Sequence, residues 1–322
     1  MRTLLRAFLS VVVLCGLVAM GTLGATAAPK YTFYAVGADP SVDQFFAVIL
    51  KGFEAAEEVF PVKVVYLGMM PEEVNATGMV NLLETALAAD PDGVTSGFWF
   101  AAAQDEVVRR MLDAGIPVIA YNQEDLRDEP VPYLGYVGQD ETITGQKLAR
   151  ATLDRIDIKR ALIGIHAPGT ASVETRALGI VQVLEEEGIP YDKLDITMTP
   201  STAITVMSAY LTQHPETNVM FLLGPSGTHP ALTLLEEQGL EGKVFIATCD
   251  SSDKTMEGIQ DGRILVTIVQ QPFLQSFTAI QLLYLYLEYG VIPPERIETG
   301  PTVIDKDNLD AVMKQIKKTG GA

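Results

Sequence analysis

The chain has 322 residues, of which 41 are acidic and 23 are basic, and its formal net charge is −18. This composition excludes nucleic-acid binding, because a phosphate backbone is held by clustered Lys and Arg that the sequence lacks. His166, His214 and His229 share no ligand spacing with one another or with Cys249, so no metal site is predicted. Each histidine is interpreted as a surface or helix-end residue.

The first 28 residues have the features of a secretory signal peptide. Arg2 and Arg6 form a basic start, an apolar run extends from Ala7 to Met20, and Ala25-Thr26-Ala27 supplies the small residues of a cleavage site. The apolar run is too short for a membrane span of about 20 residues, so no membrane insertion is predicted. Cleavage near Ala27 leaves 294 residues (322 − 28), enough for two domains. Their net charge is −20, because two arginines and no acid are removed.

Apolar, β-rich runs alternate with helical periodicity along the mature chain, which is typical of parallel strands joined by crossover helices. The predicted strands, each interpreted as buried on both faces, are Tyr31 to Val36, Val62 to Leu67, Gly93 to Ser96, Val118 to Tyr121, Ala161 to His166, Leu194 to Met198, Val219 to Leu223, Val244 to Thr248 and Ile264 to Val269. The predicted helices include Asp43 to Val59, Glu72 to Ala89, Ala102 to Ala114, Thr142 to Ile156, Ser172 to Glu187, Ala203 to His214 and Phe273 to Tyr289.

Two helices of the pattern end in the same way. Gly115-Ile116-Pro117 and Gly188-Ile189-Pro190 each stop a helix and lead into a strand. The repeated order of helix, Gly-Ile-Pro and strand favours two similar lobes of about 130 residues. Because Gly-Ile-Pro is also a common turn, the sequence leaves open whether the halves arose by duplication.

The residues that follow the predicted strands are rich in amides, carboxylates and aromatic rings, and a ligand of an open parallel sheet binds at this end of the strands. These residues are Gly37 to Phe46, Gly97 to Ala101, Asn122 to Asp125, Ala167 to Arg176, Gly224 to His229, Cys249 to Asp253 and Gln270 to Phe273.

No pattern in these loops favours an enzyme. The chain lacks a glycine-rich phosphate loop and a Gly-x-Gly-x-x-Gly turn, so no nucleotide cofactor is predicted. The segment Gly224 to Gly227 is one residue short of a nucleophile elbow. Asp250 and Asp253 are at least as well explained as one ligand-binding acid and one helix cap.

Five motifs, in the family order, resemble the ribose-binding family of type I periplasmic sugar-binding proteins over essentially the whole mature chain. They are Asp43-Gln44-Phe45-Phe46, Gly115 to Asn122, Glu174 to Gly179, Ala247 to Asp250 and Ile268 to Pro272. The resemblance implies an α/β fold with two similar doubly wound parallel-sheet lobes, a three-strand hinge and a ligand in the interlobe cleft. It also implies a monomeric periplasmic receptor, the substrate-binding component of an ABC importer, which delivers a neutral monosaccharide or polyol to inner-membrane permease subunits.

The family topology implies that the chain crosses between the lobes near Gly135 to Gly138, Gln270 to Pro272 and Glu298 to Pro301. After the signal peptide (1–28), the expected N-terminal lobe is 29–137 with 271–297, and the C-terminal lobe is 138–270 with 298–322. The last segment, Asp305 to Lys317, is expected to pack back on the C-terminal lobe.

Eight residues are the candidates for ligand binding, and no catalytic residue is predicted. Seven are implied by the resemblance: Asp43 accepts hydroxyls, Phe45 and Phe46 cover the sugar ring, Asn122 stands where the family usually has an acid, and Arg176, Asp250 and Gln270 form hydrogen bonds. Trp99 is an addition that stacks on the ligand or fills an interlobe contact. Planar bidentate groups beside aromatic rings suit the hydroxyls and C–H faces of a sugar. The alternatives left open are a core position for Phe45 or Phe46, a solvated Arg176, a helix-capping Asp250 and a strand-end Gln270.

Departures from the family pattern argue against ribose itself. Gln123 replaces a second arginine, and Gly224-Pro225-Ser226 replaces an Asn-Asp pair. A receptor for a furanosyl signalling compound or a nucleoside is the main alternative. A sugar-responsive repressor core would need a basic helix-turn-helix before the first strand. A secreted glycoside hydrolase would need a suitable carboxylate pair, which the sequence does not offer.

Overall fold

The computed structural model describes residues 28–42 and 45–319, with side chains up to residue 314. Residues 1–27 of the predicted signal peptide therefore lie outside the described residues, and so does Asp43 of the predicted site. The strands are β1 Tyr31–Ala38, β2 Val62–Met69, β3 Gly93–Ser96, β4 Val118–Tyr121, β5 Gly135–Gly138, β6 Ala161–Ile165, β7 Tyr191–Asp195, β8 Val219–Leu222, β9 Phe245–Cys249, β10 Ile264–Val269, β11 Arg296–Glu298 and β12 Thr302–Asp305. The helices are α1 Phe45–Val59, α2 Ala76–Ala88, α3 Ala101–Asp113, α4 Glu141–Leu153, α5 Ala171–Glu186, α6 Pro200–Gln213, α7 Pro225–Gln238, α8 Asp253–Asp261, α9 Pro272–Tyr289 and α10 Leu309–Thr319.

The strands form two six-stranded sheets, one in each lobe, which confirms the predicted α/β fold. The first sheet has the order β11-β5-β4-β3-β1-β2 and the second the order β12-β10-β9-β8-β6-β7. All paired strands run parallel except β12, which is antiparallel to β10. The two orders correspond position by position. Strand β4 of the first lobe therefore occupies the place of β9 in the second.

Each sheet is covered by helices whose apolar faces follow helical spacing. On α1, Phe46, Ile49, Phe53 and Ala56 are buried, at intervals of three and four residues. This stripe packs beside α9 in the core of the first lobe. In the second lobe α10 lies on the core through Leu309, as predicted for the last segment. These packed cores support the sheets, and the carboxyl ends of the strands remain available to form a site.

The two Gly-Ile-Pro turns end their helices with the same backbone geometry. Gly115 has φ +81° and Gly188 has φ +67°, both in the left-handed region that favours glycine. The next residue donates its N–H back into the helix, from Ile116 to Met111 at 2.9 Å and from Ile189 to Leu184 at 2.8 Å. Both turns are therefore Schellman motifs, as the sequence pattern indicated.

The chain crosses between the sheets three times, after β5, after β10 and between β11 and β12. Thr299, in the third crossing, forms hydrogen bonds with both of the other crossing segments. Its N–H donates to Gly138 O at 2.7 Å, and its hydroxyl lies 2.7 Å from Gln270 O. A Cβ at position 138 would lie 1.9 Å from the Tyr136 hydroxyl, so the first crossing requires glycine. The predicted hinge is therefore a hydrogen-bonded bundle of three segments.

Several predicted elements differ from the structure by three or four residues at one end, among them the helix predicted from Ala203, which begins at Pro200, and the helix predicted to end at Ile156, which ends at Leu153. The strand predicted at Leu194 to Met198 is Tyr191–Asp195, and the helix predicted from Glu72 is a short 3₁₀ turn followed by α2. Helix α2 starts late because the Asn75 side chain caps it by accepting the N–H of Gly78 at 3.0 Å. The expectation that every strand is buried on both faces also fails for β2 and β7, because these are the outer strands of their sheets.

Candidate functional site

A cavity of about 180 Å³ lies between the lobes, at the carboxyl ends of strands from both sheets. Its wall combines residues that directly follow β4, β6, β8, β9 and β10 with residues from the starts of α1 and α5. The volume is below the range of about 300 to 1,000 Å³ that is usual for drug-sized ligands, so the cavity fits a small molecule. Seven of the eight predicted site residues line it: Phe45, Phe46, Trp99, Asn122, Arg176, Asp250 and Gln270.

The first lobe contributes an aromatic wall. The ring centroids of Phe45 and Phe46 are 5.3 Å apart and those of Phe46 and Trp99 are 5.9 Å apart, both edge to face. Phe46 belongs to the buried core of the lobe and also lines the cavity, so its core position and its place in the site are compatible. A Cβ at Gly97 would lie 2.6 Å from the Trp99 ring, so glycine at that position lets the indole lie against the backbone.

Polar side chains form a chain of hydrogen bonds across the cavity from the first lobe to the second. The Asn122 amide donates to Gln270 Oε1 at 3.1 Å, and Gln270 Nε2 donates to Asp250 Oδ1 at 2.6 Å. Asn122 also donates to Gln275 Oε1 at 3.3 Å. Each of these side chains is therefore held in one orientation by its neighbours.

Asn122 and Asp250 occupy equivalent places in the two lobes, directly after β4 and β9. Both have left-handed backbone conformations, with φ +61° and φ +65°. Asn and Asp tolerate this conformation better than most residues. The turn points one polar side chain from each lobe into the cavity, and a capping role does not describe Asp250 because Ser252 caps α8.

Arg176 is buried against Glu141 and is not a solvated helix residue. Its Nε and Nη2 donate to the two carboxylate oxygens of Glu141 at 2.7 and 2.9 Å, and its Nη1 donates to Leu223 O at 2.6 Å. Burial alone would lower the pKa of the guanidinium, but the Glu141 carboxylate raises this pKa above its ordinary value. The arginine is therefore charged and fixed in position.

His166 directly follows β6 and lines the cavity, so its interpretation as a surface or helix-end residue was wrong. Its Nδ1 atom is buried and has no hydrogen-bond partner in the described part of the chain. Burial, followed by the positive charge of Arg176, lowers the pKa of His166 to about 4, so the ring is neutral at neutral pH. Gly224 leaves room for this ring, because a Cβ there would lie 3.2 Å from His166 Cε1.

Other cavity residues were missed individually: some lie in loops that were predicted to face the ligand, whereas Met198 and Leu223 were assigned to the ends of predicted strands. Met198 and Leu223 add apolar surface, and Thr170, Ser172 and Gln123 add polar groups. For His166, the available signal was its place at the first position after a strand. Because the predicted strand was extended to His166, this residue was not recognised as the first loop residue after β6.

The described lining carries no machinery for covalent or hydrolytic chemistry. Asp250 is its one acidic residue, whereas glycoside hydrolysis needs two carboxylates on either side of the scissile bond. Burial raises the pKa of the nearby Cys249 thiol to about 12, which keeps it protonated. Within the described residues no cluster of His, Cys, Asp and Glu is placed to hold a metal ion. Amides, a carboxylate, a paired arginine and aromatic rings are instead suited to reversible binding of a hydroxyl-rich ligand.

Two hinged parallel-sheet lobes with such a cavity between them define a small-molecule-binding protein. Residues 34–290 match the periplasmic binding protein domain family, and because this match covers most of the sequence, the chain belongs to that family. The family is made up of substrate-binding transport proteins and not of enzymes, in agreement with the sequence prediction.

Individual relatives point in the same direction. The xylose/arabinose-binding protein XylF of Sulfolobus acidocaldarius is 30% identical over 268 residues, which are 78% of this chain and 66% of that protein. This chain thus spans slightly less than two thirds of the length of that relative. The solved periplasmic sugar-binding protein of an ABC transporter from Legionella pneumophila is 27% identical with a TM-score of 0.79, covering 84% of this chain and 100% of that chain. A carbohydrate transporter protein from Acidothermus cellulolyticus, solved in complex with myo-inositol, is 28% identical with a TM-score of 0.80, covering 90% and 99%.

The helices of the described residues include none that combines the length and the apolar character needed to cross a membrane.

Proposed function

We propose that this protein is a periplasmic solute receptor that binds a neutral monosaccharide or polyol between two closing lobes and delivers it to an ABC importer. The observation that carries the proposal is the composition of the cavity: an aromatic wall of one lobe faces a hydrogen-bonded set of amide, carboxylate and guanidinium groups. The names of the relatives, which include a xylose/arabinose-binding protein and a complex with myo-inositol, support a ligand of this class.

We assign the ligand contacts to the seven cavity residues predicted from the sequence, together with Asp43. The Asp250 carboxylate accepts hydrogen bonds from ring hydroxyls, the Asn122 amide donates to or accepts from them, and Arg176 donates N–H groups to them. Trp99, Phe45 and Phe46 pack on the C–H face of the ring. A cavity of about 180 Å³ favours one sugar ring over a nucleoside, which carries a base in addition to its furanose.

The proposed architecture follows the crossings of the hinge. The N-terminal lobe is 29–137 with 271–297, and the C-terminal lobe is 138–270 with 298–322. Residues 1–28 are a signal peptide that is removed near Ala27 on export to the periplasm. The mature receptor acts as a monomer, and closure around the ligand presents both lobes to the permease subunits of the importer.

A thermal-shift screen of the mature chain tests the ligand class. Pentoses, hexoses, tetritols and inositols are compared with nucleosides and furanosyl signalling compounds at millimolar concentration, and hits are titrated by calorimetry. At least one neutral sugar or polyol is expected to raise the melting temperature clearly, because a ligand that binds only the folded state stabilises it. No rise in melting temperature with any sugar or polyol, or a rise with nucleosides alone, would refute the proposal.

Asp250→Asn tests the site within the same assay. Asn keeps the size of the side chain and tolerates the left-handed backbone at this position, so folding is preserved. Loss of a hydrogen bond to a charged group, worth about 1.5 to 3 kcal/mol, predicts about 10- to 150-fold weaker binding. Asp253→Asn is the matched control, because Asp253 is an exposed acid in the first turn of α8 that does not line the cavity. Equal affinity of both variants would remove Asp250 from the site.

A further inference from the structure

The positive charge of Arg176 in the cavity wall is balanced by the carboxylate of Glu141, which lies outside the cavity lining. Glu141 is the first residue of α4 and does not itself line the cavity, whereas its partner Arg176 does. The side chains of Glu141 and Arg176 are 6% and 5% exposed. The Nε2 atom of Gln139 also donates to Glu141, at 3.2 Å from Oε2 and 3.4 Å from Oε1. The carboxylate is thus fully engaged inside the protein.

The geometry of the pair fixes what the arginine presents to a ligand. Two of the five N–H groups of Arg176 point to Glu141 and a third points to Leu223 O, and the buried Cys249 thiol also lies within hydrogen-bond reach of the guanidinium, so at most two N–H groups are left for a ligand. Because the pair is bidentate and dry, the positive charge of the guanidinium is balanced at contact distance. Arg176 therefore offers donors without offering net charge.

The titratable residues of the described lining bring no uncompensated positive charge into the cavity. They are His166, Asp250 and Arg176. His166 is neutral at neutral pH, since its pKa is lowered to about 4, and Arg176 is balanced by Glu141. Asp250 is the acidic residue of the described lining. The protein as a whole carries −18, which repels anions at longer range.

A sugar acid or sugar phosphate would enter this cavity without a cation to compensate its charge. It would lose hydration and face the Asp250 carboxylate, whereas an uncharged polyol of the same shape would meet neither penalty. Discrimination of this kind comes from a repulsive element in the site and not from an additional attraction.

We propose that Glu141 sets the charge specificity of this receptor: it neutralises Arg176, so the cavity accepts uncharged sugars and polyols and rejects sugar acids and sugar phosphates. The inference rests on the proposed function and names a residue behind the site as a determinant of ligand class. Glu141 acts through Arg176 and is a positioning residue.

Glu141→Gln tests the proposal, because the amide keeps the shape and one acceptor but leaves the charge of Arg176 uncancelled. Binding of D-glucose, D-galactose and D-xylose is compared by calorimetry with binding of D-glucuronate, D-galacturonate and D-xylonate, at two salt concentrations. The wild type is expected to bind a neutral sugar and to bind the acids at least about 100-fold more weakly. Glu141→Gln is expected to shift the ratio of acid to neutral affinity by about tenfold or more toward the acid, and added salt should reduce this gain.

The double variant with Glu141→Gln and Arg176→Gln is the matched control. It removes both charges and should reject the acids as the wild type does. An unchanged ratio in Glu141→Gln, or the same gain in the double variant, would overturn the inference while leaving the proposed function intact. A wild type that binds none of the neutral sugars, or that prefers the acids, would overturn both.

Thermal melting in the presence of ligand tests the proposal even if Glu141→Gln is unstable. If the unpaired guanidinium unfolds the variant, a sugar acid should restore a cooperative melting transition and the neutral sugar should not, because the acid alone supplies the missing negative charge. Restoration by neither ligand, or by both equally, assigns Glu141 a purely structural role and refutes its role in specificity.

Discussion

Replacement of Arg176 by methionine should lower the free energy of unfolding by about 4 kcal/mol. The change leaves Glu141 as a buried carboxylate without a counter-charge, and breaking such a pair from one side typically costs about 3 to 5 kcal/mol. Leu223 O also loses its donor at 2.6 Å. For a domain of this size, about 4 kcal/mol corresponds to a melting temperature lower by about 8 to 16 °C.

The double variant Arg176→Met with Glu141→Leu should be less destabilised than Arg176→Met alone, because no buried charge remains. The unsatisfied partners Leu223 O and the Gln139 amide persist in it, at about 1 to 3 kcal/mol each. Urea unfolding followed by circular dichroism, combined with thermal melts, measures both variants. Equal losses in the single and double variants would contradict the reasoning, since they would mean that Glu141 bears no buried charge in solution.

A second ion pair between the same two helices provides the control. Arg150 on α4 contacts Glu186 on α5 at 2.7 Å, but both side chains are more than half exposed. Exposed pairs contribute about 0 to 1 kcal/mol, so Arg150→Met should change the free energy of unfolding very little. A large effect at this surface pair would mean that contact between α4 and α5, and not burial of charge, dominates the result at Arg176.

Three further predictions concern the cavity and the hinge. Trp99 is the single tryptophan of the chain and lines the cavity, so ligand addition should change the intrinsic fluorescence. Trp99→Phe should abolish this fluorescence change, whereas calorimetry should still detect binding within about tenfold of the wild-type affinity. Because folding lowers the pKa of His166 from 6.5 to about 4, the unfolded chain binds more protons between these two pH values, so this contribution to stability is complete above pH 6.5 and is lost as the pH falls toward 4. Urea unfolding over this pH range should show that the wild type loses about 3 kcal/mol more of its free energy of unfolding than His166→Gln does. Equal losses in the two proteins would count against a neutral buried ring. Thr299→Val removes the hydroxyl near the carbonyls of Gly138 and Gln270, so thermal melts should report a loss of about 1 to 3 kcal/mol, and an unchanged melting temperature would exclude a stabilising role for this contact.

The interior strands and helix ends could be predicted because one local rule decides each of them. Strands β3, β4 and β10 have the predicted bounds, since an apolar run that is buried on both faces contrasts with its neighbours. The Gly-Ile-Pro turns were equally visible, because a left-handed helix end selects glycine. Seven predicted residues meet in one cavity because strand ends of parallel sheets converge whatever the details of the loops.

The failures have physical causes that a single sequence does not reveal. Strand β7 lies at the edge of its sheet, so the polar residues Asp192 and Lys193 belong to it and the apolar run after them does not define it. The sequence also gave no sign that Glu141 lies behind Arg176, since the two residues are 35 positions apart and meet only when α4 packs on α5. Pairings between distant helices depend on tertiary packing, which periodicity does not encode.

The hinge and the site share residues, which gives ligand binding a direct way to bias lobe closure. Gln270 lies in the second crossing, where its backbone carbonyl accepts from Thr299 and its side chain donates to Asp250 at 2.6 Å. Gln275, at the start of α9, donates to the Gln270 carbonyl at 3.1 Å and accepts from Asn122 of the first lobe. A ligand that bonds to Asn122 and Asp250 together therefore contacts both lobes and the segment that joins them. Since a ligand shifts a conformational equilibrium only through its differential affinity for the two states, contacts available only when these groups converge favour the closed form.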